Sequence, residues 1–196
     1  MLISLLVADL ERQFSLCGSE RRVSCISVLA RLLHPRFLPN VLVRVSRSAI
    51  LAGIPGLPQI CTYLNIVLFG LEVSPRCQIG PGLFFPHTSG TVIGAWRLGK
   101  NVTVFQNVTL GAKSIDMGFD PRLRPDVGDD VTFGAGSKIL GGISIGDNVT
   151  VGSNAVVLAS VAPNSIAVGI PARVVPRETL NGAPPQQRPN AIETEP

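Results

Sequence analysis

Residues 127–162 read VGDDVTFGAGSKILGGISIGDNVTVGSNAVVLASVA. The stretch divides without remainder into six hexads: VGDDVT, FGAGSK, ILGGIS, IGDNVT, VGSNAV and VLASVA. Each opens on a bulky apolar residue: Val127, Phe133, Ile139, Ile145, Val151 and Val157. The second position is often glycine. The fourth is Asp, Gly, Asn or Ser, types that accept tight or left-handed backbone. The fifth is mostly Val, Ile, Ser or Ala, a second and smaller inward side chain. A strand alternates with period two and a helix with period 3.6, so neither explains six. A short strand plus a corner does, and three such sides close a triangular coil of about eighteen residues. The expected fold class is therefore mainly β, a hexapeptide parallel β-helix whose stacked coils share one core.

The period extends backwards through LGKNVT (98–103), VFQNVT (104–109) and Leu110, and earlier through IGPGLF (79–84) and FPHTSG (85–90). It also disposes of a false motif. NVT at 101, 107 and 148 matches a glycosylation acceptor. In the repeat, Asn is the corner residue, Val points in and Thr points out. Register is lost over GAKSIDMGFDPRLRPD (111–126), which carries Lys113, Asp116, Asp120, Arg122, Arg124 and Asp126. A loop ejected from a regular solenoid is a usual place for function.

A solenoid needs capped ends. Residues 1–70 hold helical patches such as SLLVADLERQF and VSCISVLARLL, broken by Pro35, Pro39, Pro55 and Pro58. They are expected to form a helical N-terminal cap on a β-helix domain spanning 71–176. At the far end NSIAVGIPARVV (164–175) reads as a closing strand and turn. The tail 177–196 is polar and Pro-rich, a composition that predicts disorder.

Composition narrows the partners. The net charge is +4, with six arginines and no acidic residue between Arg21 and Leu71. Without stacking aromatics or a known module this does not read as a nucleic-acid surface. It fits a solvated helix face, a membrane surface or an anionic substrate. The four cysteines (17, 25, 61 and 77) lack C-x-x-C spacing, and three lie in apolar surroundings, so they read as buried thiols of a reducing compartment. The start MLISLLVADLERQ lacks a secretory n-region. These features predict a cytoplasmic protein. Residues 48–71 are uncharged, but Pro55 and Pro58 interrupt them, so a cap helix or a segment lying at the inner membrane face is expected rather than a span.

His87, in IGPGLFFPHTSGTVIG (79–94), is one of only two histidines. It is third in its hexad, an outward position. Together with LEVSP (71–75), NVTVFQNVTLGA (101–112), VTFGAGSKILGGISIGDNVTVGSNAVVL (131–158) and VGIPARVV (168–175), this segment resembles the serine acetyltransferase group of hexapeptide acyltransferases. The resemblance implies a left-handed helix and a homotrimer with sites in the clefts between neighbouring copies. It also implies acetyl-CoA as acetyl donor, and no metal. His87 falls on that group's general base, and Glu72 on the acid that would orient it. Gly111, Ala112, Ala135 and Gly136 match the backbone contacts to the pantetheine arm. Lys138 and Arg173 are candidate partners of the CoA phosphates. Asp120, Arg122 and Arg124 of the loop are candidates for binding the acceptor.

The departures are specific. Pro86 replaces the group's Asp before the histidine. Leu123-Arg124-Pro125 stands where the group has Arg-His-Pro, whose arginine holds the serine carboxylate. The five-residue repeat IGAWR (93–97) and the short basic N-terminal region look like polysaccharide O-acetyltransferases of the colanic-acid type. The acceptor expected from these departures is a sugar hydroxyl on an envelope precursor, with L-serine as the alternative. Zinc carbonic anhydrases share the fold but need three imidazoles, and only His34 and His87 are present. A non-enzymatic scaffold and an amino-sugar N-acetyltransferase remain as rivals.

Overall fold

A computed structural model of the chain describes residues 2–19 and 23–177. The tail expected to be disordered lies outside the described residues, apart from Arg177. That residue is held in place: its guanidinium donates to Asn148 O and Thr150 Oγ1.

The hexads stack as a left-handed parallel β-helix. Its first side stacks Leu71–Val73, Thr91–Ile93, Thr109–Gly111, Lys138–Leu140 and Val156–Val157. The second stacks Gln78–Ile79, Arg97–Leu98, Asp126–Val127 and Ser144–Ile145. The third stacks Thr103–Val104, Thr132–Phe133, Thr150–Val151 and Ser165–Val168. Register is strict. Val73, Ile93, Leu110, Ile139 and Val157 lie directly above one another, as do Ile79, Leu98, Val127, Ile145 and Val161. Nearly all of these side chains are buried in one core.

The corners explain the fourth hexad position. Asn101, Asn107, Asp130, Asn148 and Asn154 all take φ between 55° and 59°, in the left-handed region. Asn and Asp tolerate it because their short polar side chains bond locally. Here they bond along the stack: Asn101 donates to Asp130 Oδ1 and Asn148 to Asn164 Oδ1. The sequon asparagines are thus corner residues, followed by buried Val102, Val108 and Val149. Arg173–Pro176 closes the far end as the antiparallel partner of Ser165–Val168.

Four helices precede the first coil: α1 (Leu2–Leu16), α2 (Cys25–Leu29), α3 (Leu38–Leu51) and α4 (Leu57–Phe69). Leu6, Leu10, Val28 and Phe37 make their own small core. The uncharged stretch 48–71 folds as the end of α3, a turn and α4, and no helix among the described residues is long and apolar enough to cross a membrane. The arginines do not form one solvated face. Arg31 sits 4.8 Å over the Phe14 ring, and Arg47 donates to Pro75 O.

Arg44 is buried. Its Nε and Nη2 donate to Asp9 at 2.9 and 2.8 Å, and its other contacts are Ile79 O and Gly80 O. Asp9 Oδ1 also accepts from Gly82 N and Leu83 N. Asn40 donates to Asp9 Oδ2 and Leu83 O. One buried carboxylate therefore joins α1, α3 and the first coil. Removing it would leave the guanidinium without its countercharge. Asp9→Ala is expected to lower unfolding free energy by about 3–5 kcal/mol. A urea denaturation curve checks this, and a loss under about 1 kcal/mol, the scale of an exposed pair, would contradict the clamp.

Cys61 and Cys77 are buried, whereas Cys17 and Cys25 are exposed, so the expectation of buried thiols holds for two of the four. Burial pushes the Cys77 thiol up to about 12, against the opposing charge of Arg47, Arg44 and Arg124. A thiol reagent at neutral pH should label Cys17 and Cys25 fast. Cys61 and Cys77 should react only on denaturation, which counting labelled thiols before and after unfolding will test.

Candidate active site

His87 sits at the corner between the third and first sides. Phe85 aligns with Val104 and Thr91 with Val108, so five residues turn the corner in the first coil where three suffice in the next. The extra length projects Pro86-His87-Thr88 from the prism, and His87 is exposed. The bulge is pinned at its base. Thr88 Oγ1 donates to Phe69 O at 2.9 Å, and Gly90 N donates to Gly70 O at 2.9 Å. Gly90 has φ 71°, and any Cβ there would strike the Asn107 side chain. A histidine on a fixed corner, without a side-chain hydrogen bond or ion pair among the described residues, is placed to act on something that binds beside it.

Two grooves flank it. One follows the corner along the coils and is lined by Phe105, Gln106, Gly134, Ala135 and Ser153 as well as His87, enclosing about 330 Å³. Gln106 Oε1 is buried there without a hydrogen-bond partner among the described residues. An unpaired buried acceptor costs about 1–3 kcal/mol, so this atom is suited to receive a ligand's N–H. The second groove, of about 440 Å³, lies on the helical side and includes Pro35, Arg36, Pro39, Leu68, Phe69 and Pro86.

The candidate residues divide between two corners. Ala135, Gly136 and Lys138 lie at the His87 corner: Gly136 N donates to Gln106 O, and Lys138 Nζ reaches Asn107 O at 2.5 Å and Thr109 Oγ1 at 3.2 Å. Gly111 and Ala112 lie at the opposite edge of the first side, where the loop departs. Arg173 is exposed on the closing strand. Glu72 points outward on the first side near the base of the His87 corner, but no hydrogen bond joins it to His87.

The loop 111–126 occupies the corner between the first and second sides, so within one chain it does not reach His87. It is built around Arg124. That guanidinium donates to Asp116 Oδ2 and Gly94 O at 2.8 Å each and to Asp116 O at 2.9 Å. It also lies 4.0 Å over the Phe119 ring. Phe119 holds φ 60°, a strained conformation for a bulky residue. Arg122 is exposed and paired with Asp120, whose carboxyl it holds below the usual range. The returning chain passes so close to Gly142 that a side chain there would collide with Arg122 O. Asp120, Arg122 and Arg124, the candidates for binding the acceptor, thus make ion pairs within the loop, and Arg124 also ties it to Gly94 O.

Comparison with known proteins agrees with this architecture. The family description "Bacterial transferase hexapeptide (six repeats)" matches residues 124–159. A serine acetyltransferase of Staphylococcus xylosus is 46% identical over 110 residues, covering 56% of this chain and 50% of that protein. Soybean serine acetyltransferase complexed with serine is similar in structure, with TM-score 0.74 and 34% identity over 89% of this chain and 69% of that one. A serine acetyltransferase complex with CoA superposes with TM-score 0.70 at 26% identity, over 89% and 69% of the two chains. The chain belongs to the hexapeptide-repeat transferases. Within them it is serine acetyltransferase-like. It spans about half the length of the curated relatives it matches first.

Sequence reasoning missed Gln106, Ser153 and Arg36. Gln106 occupies a third hexad position, like His87, and that shared position was the available signal. Arg36 lies far away in the chain and carried none.

The Arg124 knot makes a testable claim about the loop. Asp116→Ala removes a charge-assisted hydrogen bond and the anchor of Asp120 N. Local opening should rise about 10- to 100-fold. The readout is the rate of tryptic cleavage after Lys113 and Arg122. An unchanged rate would show that the loop is held by other contacts.

Proposed function

We propose that this chain is an acetyl-CoA-dependent O-acetyltransferase with His87 as general base. The observation that carries the reading is a lone exposed imidazole, on a pinned and lengthened corner, between two grooves. One groove supports binding of the donor. Gln106 Oε1 would accept from a pantetheine amide, and the corner backbone of Ala135–Gly136 lines the path. Lys138 has spent two of its three donors on protein oxygens, leaving one for a phosphate.

The imidazole takes the acceptor's hydroxyl proton as the oxygen attacks the thioester carbonyl carbon. Backbone N–H groups steady the resulting oxyanion. The C–S bond then breaks, and the imidazolium returns its proton to the departing thiolate. The products are an acetate ester and free CoA. Glu72, which points outward on the first side, is assigned the role of orienting the imidazole once substrate binds.

The two corners are brought together by association. A homotrimer would set the loop corner of one copy, with Gly111, Ala112 and the loop, against the His87 corner of the next. Ile115 and Met117 at the loop tip are more than 90% exposed, which suits a contact that a neighbour covers.

L-serine is the first acceptor to test, because the relatives bear that name and one similar structure holds serine. The sugar acceptor expected from the sequence has no support from the comparisons. One observation retains it as a second reading: Leu123 stands at the position of the carboxylate-binding arginine, and Arg124 is committed to Asp116.

Thiol release from acetyl-CoA, with L-serine and UDP-glucose as acceptors, tests the reading. His87→Ala should lower turnover by about 10²–10⁴-fold while CoA binding persists. Equal turnover by wild type and variant would remove His87 from the mechanism.

A further inference from the structure

An acceptor hydroxyl that reaches His87 must be held by something, and the loop arginines are already occupied. Arg122 is paired with Asp120, and Arg124 with Asp116 and Gly94 O. Elsewhere Arg44 is buried on Asp9, Arg31 lies on Phe14, Arg47 binds Pro75 O, and Arg76 binds Gly118 O. Arg36 differs from all of these. Among the described residues its guanidinium makes no hydrogen bond, ion pair or ring contact, and it is exposed. It lines the same groove as His87.

Its backbone is fixed. Arg36 N donates to His34 Nδ1 at 3.3 Å, and the next residue, Phe37, is 2% exposed in the core of the helical region. Arg36 therefore lines the groove from a fixed turn, and the walls it shares with His87 include Leu68, Phe69, Phe85, Thr88 and Ser89. No acidic residue lines that groove. Guanidinium is the side chain best matched to carboxylate and phosphate, through two parallel N–H donors. A groove of about 440 Å³ is within the range, about 300–1,000 Å³, of sites for drug-sized ligands.

We propose that the helical-side groove is the acceptor site, and that Arg36 binds an oxyanion of the acceptor, carboxylate or phosphate, while His87 faces its hydroxyl. The inference rests on the acetyl-transfer reading. It relocates anion recognition from the loop to the turn between α2 and α3. His87 then stands between a donor groove along the coils and an acceptor groove under the helices.

The test uses the full chain in steady-state assays with acetyl-CoA. The acceptors are L-serine for the carboxylate, UDP-glucose for the phosphate, and L-serinamide and methyl glucoside as versions without the anion. Arg36→Ala should raise KM for the anionic acceptor by about 10- to 100-fold, the effect of a lost charge-assisted contact. KM for acetyl-CoA should not move, Arg36→Lys should recover part of the loss, and Arg31→Ala should change nothing. The neutral versions should be poor substrates and indifferent to Arg36. Which anion responds identifies the acceptor class. An unchanged acceptor KM in Arg36→Ala overturns the inference and leaves the reading of His87 intact. Wild type that neither turns over nor binds either anion, by calorimetry, overturns it as well. Turnover that survives His87→Ala would instead overturn the catalytic reading, which separates the two failures.

Discussion

The structure depends on a stacking constraint. Every sixth residue occupies the same radial position as one in the coil above and one in the coil below. Leu110 lies on Ile139 and Ile139 on Val157, so each inward side chain is packed chiefly by residues of its own kind. This works only if each corner turns sharply without lengthening the coil. Asn or Asp with φ between 55° and 59° provides that turn at six corners. A long coil with these corners buries a continuous core from short strands that would be unstable alone.

Such a lattice has little room for chemistry, because its sides are regular and its inward positions are full. The site candidates lie where the lattice is broken. One break lengthens a corner by two residues and projects His87. The other ejects residues 111–126. The first is stapled to the end of α4 through Phe69 and Gly70, and the second is knotted around Arg124. Neither is loose, and preorganisation of this kind is what a catalytic corner requires.

The helical region is more than an end cap. The buried Asp9–Arg44 pair fixes α1 and α3 on the first coil, and Asn40 adds a third contact there. That docking sets the turn between α2 and α3 beside His87 and so creates the second groove. The α4 surface is a separate feature: Ile60, Tyr63, Val67 and Leu68 are more than half exposed. The uncharged stretch 48–71 is in three dimensions the end of α3, a turn and α4, whose buried face is Pro58, Cys61 and Asn65.

The chain determines its β-helix by periodicity alone, because a six-residue repeat admits one geometry in which all first positions point inward. The corner asparagines and the ejected loop follow from the same count, whereas His87 projects because its corner is two residues longer than that count allows. Tertiary structure decided everything that depends on charge pairing across the chain. Arg36, Arg44, Arg122 and Arg124 look alike in the sequence. Arg44 is buried on Asp9, Arg122 and Arg124 pair with Asp120 and Asp116, and Arg36, with no partner among the described residues, lines a groove with His87. A guanidinium's role is set by which carboxylate lies within about 3–4 Å of it. For Arg44 that carboxylate lies 35 residues away in the chain and the two meet only when the helices dock.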